Sequence, residues 1–461
     1  MTHETEPSGL LVLGRGGQQP QDLGRLVRDR EITTVMLAVP DMQGRLKGKL
    51  HDARTFLDRF ESHMCAYVLA TDLDMRAQPG YRLTGWDDGF QDLRVVPDPK
   101  SIRRLSYLPG TVLVHGDAVH QGWPIDVAPR QMLRQQIAEL ASLGYRAKVG
   151  IESEFMLYKG TPAQARRRGY RSLAPVSPYN LDYALDHPPT LSAFFHDLRA
   201  ALDGASCPPE AIKTEGAPGQ IEVTWPYEDP MTACDLYTVH QHAVRHLAAQ
   251  HKMAPTFMAA PQTGVGSGLH LHVSLWRDEE DSAFWMPQGS ELPEPLQHSV
   301  AGLLDALPHL APLYAPTPNS YKRYRPHSFA PTRFTWGHGN RTCTIRITGE
   351  ESNPHLENRA PGADANPYLA LAATLAGINH GLRNQPKLPA PCTGNSYQDT
   401  DTREMPYSLD EATTDFAGSR IASLAFGPDP VDHYVHASEL EHSALAFEVT
   451  DVELARGFDR G

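Results

Sequence analysis

Residues 145–158 read YRAKVGIESEFMLY, and their odd-numbered positions are mostly apolar. Because successive side chains of a strand point to opposite faces, this pattern predicts a strand with one buried face. Glu152 and Glu154 occupy the other face, two residues apart. Their carboxylates should therefore point into the same space, which is the first indication of a charged site.

Three later segments, residues 219–225, 269–275 and 355–359, show the same alternation. The acids and histidines that belong to these polar faces, or lie one loop upstream of them, are Glu215, Glu222, His270, His272 and Glu357. A glutamate on one strand usually faces solvent, but recurrence on several strands predicts a shared acidic cleft. Carboxylates crowded in a cleft repel one another unless cations are present. Carboxylate-rich ligation suits Mg²⁺ or Mn²⁺.

Four arginines form a second candidate set, namely Arg323, Arg341, Arg346 and Arg359. Guanidinium groups bind phosphate and carboxylate through paired hydrogen bonds, so arginines beside a metal cluster favour phosphoryl transfer. A GxxxxGK[ST] phosphate-binding loop is absent from the sequence. The glycines of residues 264–268 precede a histidine-bearing strand, which predicts a close backbone approach to a ligand instead of a dinucleotide-binding fold.

Composition limits the class of protein. The 461 residues carry 42 basic and 55 acidic side chains, a formal net charge of −13, which disfavours nucleic-acid and anionic-membrane partners. The five cysteines are scattered without a CxxC pair, which is typical of a reducing compartment. Without an apolar run of about 20 residues or a signal-peptide pattern, the sequence predicts a cytoplasmic protein.

The chain divides into three predicted parts. Residues 1–19 are polar and glycine-rich, which indicates a flexible arm. Residues 20–121 contain short strand-like runs between turns and predict a small α+β unit. Residues 122–461 predict a larger unit. Leu133, Ile137 and Leu140 recur at helical spacing and predict one helix, and a second helix is predicted from Pro367 to about Leu382.

Seven motifs then identify a resemblance. In chain order they are GIESEF (150–155), KTEGAPGQIE (213–222), GSGLHLH (266–272), NSYKR (319–323), NR with IR (340–341 and 345–346), ENR (357–359) and GADANPY (362–368). Together they resemble the glutamine synthetase family, in particular its glutamate–amine ligase branch. The resemblance implies an α+β fold with a small N-terminal β-grasp domain and a catalytic domain containing a curved antiparallel sheet. It also implies a homo-oligomer, commonly a dodecamer, with active sites between adjacent subunits.

The resemblance also implies a role for each candidate residue. Glu154, Glu215 and Glu222 would hold one divalent ion, and Glu152, His270 and Glu357 a second. Glu154, Arg323 and Gly266 would bind L-glutamate, with Arg359 near its reacting carboxylate. Arg341 and Arg346 would contact the phosphates of ATP, His272 would contact ATP, and Asp41 would reach the amine site of a neighbouring subunit. The expected reaction forms γ-glutamyl phosphate from ATP and glutamate, and an amine then displaces the phosphate.

One departure from the family pattern concerns the amine. Family members that use ammonium carry a glutamate on a flap shortly after the NSYKR motif, and Phe329 stands at that position here. An aromatic ring cannot deprotonate ammonium, but it can pack against an alkyl chain. The sequence therefore predicts an organic amine, with ethanolamine favoured over a putrescine-type polyamine. An ordinary glutamine synthetase and a non-catalytic binding protein are the alternatives, and adenylylation at Tyr397 is not expected.

Overall fold

The computed structural model describes residues 23–287, 291–349 and 354–460, so the predicted arm of residues 1–19 lies outside the described residues. The first sheet follows the short helix α1 (Leu23–Arg28). Its strands are β1 (Thr34–Pro40), β2 (Leu46–Asp52), β3 (Ser62–Cys65), β4 (Asp92–Pro97), β5 (Arg103–Arg104), β6 (Thr111–His120) and β7 (Trp123–Pro124), with α2 (Ala53–Arg59) between β2 and β3. The strand order is β2-β1-β6-β4-β3, and β1 runs parallel to β6.

The second sheet contains all four segments with the alternating pattern. Its strands are β8 (Arg146–Lys159), β9 (Ala211–Thr214), β10 (Gln220–Thr224), β11 (Met253–Thr256), β12 (Leu269–Trp276), β13 (Trp336–His338), β14 (Ile345–Thr348) and β15 (His355–Asn358). The order is β13-β14-β15-β12-β8-β10-β9, with β11 also paired to β8, and among the described residues of this second sheet only the β13–β14 pair is parallel. The predicted α+β architecture with a curved antiparallel sheet is confirmed.

The remaining helices of the described residues are α3 (Pro129–Ser142), α4 (Pro162–Arg167), α5 (Pro189–Gly204), α6 (Pro230–Gln250), α7 (Glu294–Ala306), α8 (Pro367–Asn384), α9 (Leu409–Ala417), α10 (Arg420–Phe426), α11 (Pro428–Ala446) and α12 (Asp451–Gly457). Of these, α3 and α6 pack against β8 of the second sheet. The two helices predicted from periodicity are α3 and α8, and both predictions are confirmed. In the described part of the chain, every helix is too short or too polar to span a bilayer.

Burial follows the period-two pattern. Val149, Ile151, Phe155 and Leu157 on β8 are buried in the same apolar cluster as the alternate residues of β10 and β12. Removing this surface from water is the main stabilising contribution to the sheet. The helices therefore hold the backs of β8, β10 and β12 in place, and the fronts of the strands carry the polar residues.

The first sheet has an apolar cluster of its own, drawn from residues between Leu23 and Ala128. Its members include Ile125 and Val127, and β7 still pairs with β6 beyond residue 122. Ala38 and Leu113 of the same sheet pack instead into the larger cluster. The division at residue 122 and the β-grasp assignment stay predictions.

A buried arginine connects the two parts of the chain. Arg130 on α3 donates from Nη2 to Asp98 Oδ2 (2.7 Å) and from Nε to Asp117 Oδ1 (3.0 Å), and its Nη1 pairs with Asp235 on α6. The hydroxyl of Tyr368 also donates to Asp235 Oδ1 (2.6 Å). Asp98 and Asp117 belong to the first sheet region, so this network joins that region to α3 and α6.

We expect Arg130→Met to lower the free energy of unfolding by about 3–5 kcal/mol, because buried carboxylates would lose their cation. Chemical denaturation monitored by circular dichroism measures this loss. Arg134→Met is the matched control, since Arg134 is 46% exposed and pairs with Asp117 alone (2.6 Å). That variant should lose less than about 1 kcal/mol, and equal losses in both variants would contradict the assignment.

Candidate active site

Strand register brings the predicted acids together. Glu154 on β8 lies opposite Glu222 on β10, and Glu152 on β8 lies opposite His270 on β12. On the other side of β12, His272 lies opposite Glu357 on β15. Because paired residues of adjacent strands share a face, the polar fronts of four strands form one site.

The first acid cluster consists of Glu154, Glu215 and Glu222. Each offers one carboxylate oxygen, and these three oxygens lie within 4.8 Å of one another. The backbone N–H of Gly268 donates to Glu154 Oε2 (2.7 Å), and Gln220 Nε2 donates to the same oxygen (3.2 Å). The chain's own hydrogen bonds therefore orient one carboxylate of the cluster before any ligand binds.

The second cluster contains Glu152, Glu357 and both histidines of β12. Ligand atoms of Glu152, His272 and Glu357 lie within 4.8 Å of one another. His272 Nε2 lies 3.0 Å from Glu152 Oε1. His270 Nδ1 lies 3.0 Å from Glu152 Oε2 and 3.6 Å from Glu357 Oε1. The structure thus brings the predicted ligand His270 and the predicted ATP contact His272 to the same two carboxylates, and the division of roles between them stays a prediction.

The charges in these clusters are strongly coupled. Burial and the nearby charges of Glu152, Glu215 and Glu154 raise the pKa of Glu222 to about 9, although Lys213 acts in the opposite direction. Burial also acts to raise the pKa of Glu357, but Arg359 and the histidines outweigh burial and hold that pKa at about 2. The two clusters differ because two arginines and two histidines lie near Glu357, whereas three carboxylates and a single cation, Lys213, lie near Glu222.

This donor set fits divalent cations. Mg²⁺ and Mn²⁺ prefer carboxylate oxygens, and the first cluster presents three of them. The raised pKa of Glu222 shows that its negative charge is unfavourable in the site without an added cation. A divalent ion would remove that repulsion. The second cluster adds an imidazole nitrogen, which Mn²⁺ also accepts.

The predicted arginines occupy three different environments. Arg346 Nη1 donates to Glu357 Oε2 (2.8 Å), and Arg359 Nη1 pairs with the other oxygen of Glu357. Arg323 is buried and donates to the backbone carbonyls of Arg359 (3.2 Å) and Ala360 (3.0 Å). Arg341 is exposed on the turn between β13 and β14. Arg346 and Arg359 are therefore part of the cluster, whereas the contact of Arg341 with ATP stays a prediction.

Glycines allow Arg323 to approach the loop before β12. A Cβ atom on Gly266 would lie 2.9 Å from Cγ of Arg323, and one on Gly268 would lie 2.8 Å from Nη2 of Arg323. A side chain at either position would displace the guanidinium or the loop. The absence of a side chain at Gly266 therefore lets Arg323 pack against this loop. The role of the two residues in binding glutamate stays a prediction.

The flap residue Phe329 projects its ring outward. The side chain is 65% exposed, and the backbone lies in the left-handed region with φ of +58°. Its carbonyl accepts a hydrogen bond from Arg359 Nη2 (3.2 Å), and the hydroxyl of Tyr397 donates to the carbonyl of Ala330 (3.1 Å). These bonds hold an aromatic residue in a backbone conformation that it seldom adopts, beside an arginine of the acid cluster.

Asp41 differs from the other predicted residues because its carboxylate contacts residues of the β1–β2 hairpin and not the acid clusters. Its Oδ2 accepts from Arg45 Nε (2.7 Å) and lies 3.9 Å from Lys47 Nζ. Its other oxygen accepts the backbone N–H groups of Gln43 and Arg45. Burial raises the pKa of Asp41, with Arg45 opposing that shift. Its role at a neighbouring subunit's amine site stays a prediction.

Sequence reasoning gave no role to Lys213, Gln220 or Gly268, all of which contact the first cluster. All three residues lie within the quoted motifs. Gln220 shares a strand face with Glu222, so alternation could have placed it there. The position of Lys213 opposite Glu222 depends on the register of β9, which the local pattern does not specify.

Comparison with known proteins identifies the family. The model of the catalytic domain of glutamine synthetase matches residues 126–456, well over half of the chain. This chain belongs to the glutamine synthetase family. The predicted resemblance is confirmed, and members of this family are ATP-dependent carbon–nitrogen ligases that use divalent metals.

Individual members of the glutamine synthetase family match along nearly the whole chain. Gamma-glutamylethanolamide synthetase GlnA4 of Streptomyces coelicolor is 40% identical over 95% of this chain and 96% of its own length. Glutamate–isopropylamine ligase of a Pseudomonas species is 31% identical over 94% of this chain and 96% of its own. A solved GmaS/ADP complex has a TM-score of 0.82 at 24% identity, covering 95% of this chain and 99% of that chain, and supports the fold alone.

Proposed function

We propose that the protein joins the γ-carboxylate of L-glutamate to a small organic amine, with ethanolamine favoured, and converts ATP to ADP and phosphate. The choice of amine rests on the exposed ring of Phe329. The backbone carbonyl of Phe329 accepts a hydrogen bond from Arg359 of the acid cluster. The ring offers apolar surface to the carbon chain of an amine where ammonium-using enzymes have a carboxylate. Two relatives support this choice by their names, a gamma-glutamylethanolamide synthetase from Streptomyces and a glutamate–isopropylamine ligase from Pseudomonas.

The chain's own residues would bind and orient the substrates. Arg323, beside Gly266, would bind the α-carboxylate of glutamate, because a buried guanidinium binds an anion strongly. Arg359 would hold the reacting carboxylate, and Arg341 and Arg346 would contact the phosphates of ATP. In phosphoryl transfer, such positioning and charge stabilisation supply most of the catalysis.

Two or more ions would bind among Glu152, Glu154, Glu215, Glu222, His270 and Glu357, with His272 near the second. Mg²⁺ or Mn²⁺ bound there would polarise the phosphoryl oxygens and offset the charge that develops during transfer. Glu357 would remain charged throughout, because Arg359 and Arg346 flank it.

A panel of amines tests the proposal. Purified protein with Mg²⁺, ATP and L-glutamate should release phosphate with ethanolamine, and mass spectrometry should detect the γ-glutamyl amide. A response mainly to putrescine would favour the polyamine alternative. A response confined to ammonium would favour an ordinary glutamine synthetase, and ATP binding without phosphate release from any amine would favour a binding protein.

We expect Phe329→Glu to change the choice of amine, because it restores a carboxylate and removes apolar surface. The kcat/KM for ethanolamine should fall by about tenfold or more, consistent with loss of an aromatic contact, and ammonium use should rise. Phe329→Leu is the matched control, since it keeps an apolar side chain and should stay within a few-fold of wild type. Unchanged preference in Phe329→Glu would contradict the role of the flap.

The proposal includes a cytoplasmic homo-oligomer with active sites between subunits. The family resemblance supports a dodecamer. Size-exclusion chromatography with light scattering tests it, because twelve chains of 50.9 kDa are readily distinguished from a monomer or dimer. Mixing a variant of Asp41 with a variant of Glu222 tests shared sites, since partial recovery of activity requires residues from two subunits.

A further inference from the structure

A lysine lies inside the first acid cluster. Lys213 on β9 is the cross-strand partner of Glu222, and its ammonium contacts Glu215 and lies 3.5 Å from Glu222 Oε2. Both carboxylates belong to the set that would hold the first divalent ion. The side chain of Lys213 is only 20% exposed, so the cation is substantially screened from solvent by the cluster.

An ammonium and a divalent ion compete for these oxygens. Both bind through carboxylate lone pairs, and positive charges about 4 Å apart repel strongly in a partly buried site. Lys213 therefore has to leave Glu215 and Glu222 when an ion binds to the cluster. The energy of the broken contacts reduces the net affinity for that ion.

Two other groups contact the same Lys213 ammonium from the solvent side, and they define a second position toward which it can shift. Asp182 Oδ1 lies 3.9 Å from its Nζ, and the Nζ lies 4.5 Å above the ring of Tyr183. Tyr183 is 67% exposed, so this position is on the solvent side of the cluster. A carboxylate and the face of an aromatic ring both attract an ammonium group. The loop that carries them is bonded to β9, because Thr214 Oγ1 donates to the carbonyl of Leu181 (2.6 Å).

We propose that Lys213 is a positioning residue that competes with the first divalent ion. It holds Glu215 and Glu222 side by side when the ion is absent, and it moves to Asp182 and Tyr183 when the ion binds. The lysine thereby prevents these two carboxylates from separating and weakens ion binding at this cluster. The second cluster contains no lysine contact among the described residues, and its charge is balanced by histidines and arginines.

Manganese binding without substrates tests the proposal, independently of which amine is used. Titration at one pH, followed by electron paramagnetic resonance, resolves classes of bound Mn²⁺. In Lys213→Met, one class should bind about tenfold more tightly, since a charge-assisted contact no longer has to be broken, and the other class should not change. The melting temperature without metal should fall, and Mn²⁺ should raise it more than in wild type.

Lys148→Met is the matched control. Lys148 is on β8 of the same sheet, but its ammonium lies over the ring of Trp276 (3.7 Å) and near the carbonyl of Glu279 (3.3 Å). Its Mn²⁺ affinity should equal that of wild type. Unchanged or weaker binding in Lys213→Met would mean that the lysine does not compete with the ion, and the proposal would be wrong.

Asp182→Asn tests the second position and changes a side chain that is 41% exposed. Without this carboxylate the displaced lysine is less stable, so Mn²⁺ should bind several-fold more weakly, opposite in sign to Lys213→Met. In the double variant, Asp182→Asn should have little further effect. An equal loss in both backgrounds would reflect a general charge effect and overturn the proposed movement.

Discussion

Replacement of Glu222 by glutamine should reduce phosphate release by about a thousandfold or more while leaving the fold intact. Glutamine keeps the shape of the side chain but removes one of three carboxylates in the first cluster. Charge stabilisation by a bound divalent ion contributes several kcal/mol to phosphoryl transfer, and each 1.36 kcal/mol corresponds to about tenfold in rate. The measurement is phosphate release with saturating ATP, glutamate and ethanolamine.

Stability distinguishes this loss from simple unfolding. The charge of Glu222 is unfavourable in the metal-free site, as its raised pKa of about 9 indicates. The neutral variant should therefore melt no lower than wild type when metal is absent, although Mg²⁺ should raise its melting temperature less. Glu279→Gln provides the control, because Glu279 is 83% exposed and pairs with Arg146 at the far end of β8. Wild-type turnover in the Glu222 variant would refute the metal assignment.

Arg341→Met should lower kcat by roughly a hundredfold to a thousandfold with little change in stability. An arginine that contacts the transferring phosphoryl group can contribute factors of this size. Arg341 is exposed on the turn between β13 and β14, so its removal opens no cavity in the core. Steady-state kinetics and thermal melting together measure the two effects.

Two other arginine variants serve as comparisons for Arg341→Met. Arg346→Met removes an arginine that is bonded to Glu357 (2.8 Å), so it should lower both turnover and the melting temperature. Arg146→Met removes a side chain that is 70% exposed at the start of β8 and should change neither. If Arg341→Met lost stability but kept its turnover, the side chain would have a structural role instead of the proposed contact with ATP.

Local sequence patterns predicted the elements that carry the site. Alternation indicated β8, β10 and β12, since an apolar back and a polar front leave a period of two in the sequence. The stripe from Leu371 to Leu382 likewise predicted α8, where Leu371 is buried and Leu382 is partly buried. The family motifs then indicated which polar residues belong together, and strand register brings Glu154 opposite Glu222.

Other features depend on strand register, turn geometry or long-range pairing, which the alternation of apolar and polar residues does not specify. The contact of Lys213 with Glu222 requires the pairing of β9 with β10, and the parallel pairing of β1 with β6 joins residues more than seventy positions apart. Asp41 was predicted only from resemblance, and its engagement by Arg45 follows from a turn that alternation does not describe. The direction of the Phe329 ring depends on one left-handed residue, which no periodic pattern reveals.

Strand β8 supplies one ligand to each acid cluster, Glu152 to the second and Glu154 to the first. Two residues of extended backbone advance by about 6.7 Å, so the spacing between these ligands is a property of the main chain. Flanking β10 and β12 keep that length constant. Loops such as those at Tyr183 and Phe329 can consequently diversify while the spacing between the two acid clusters is preserved.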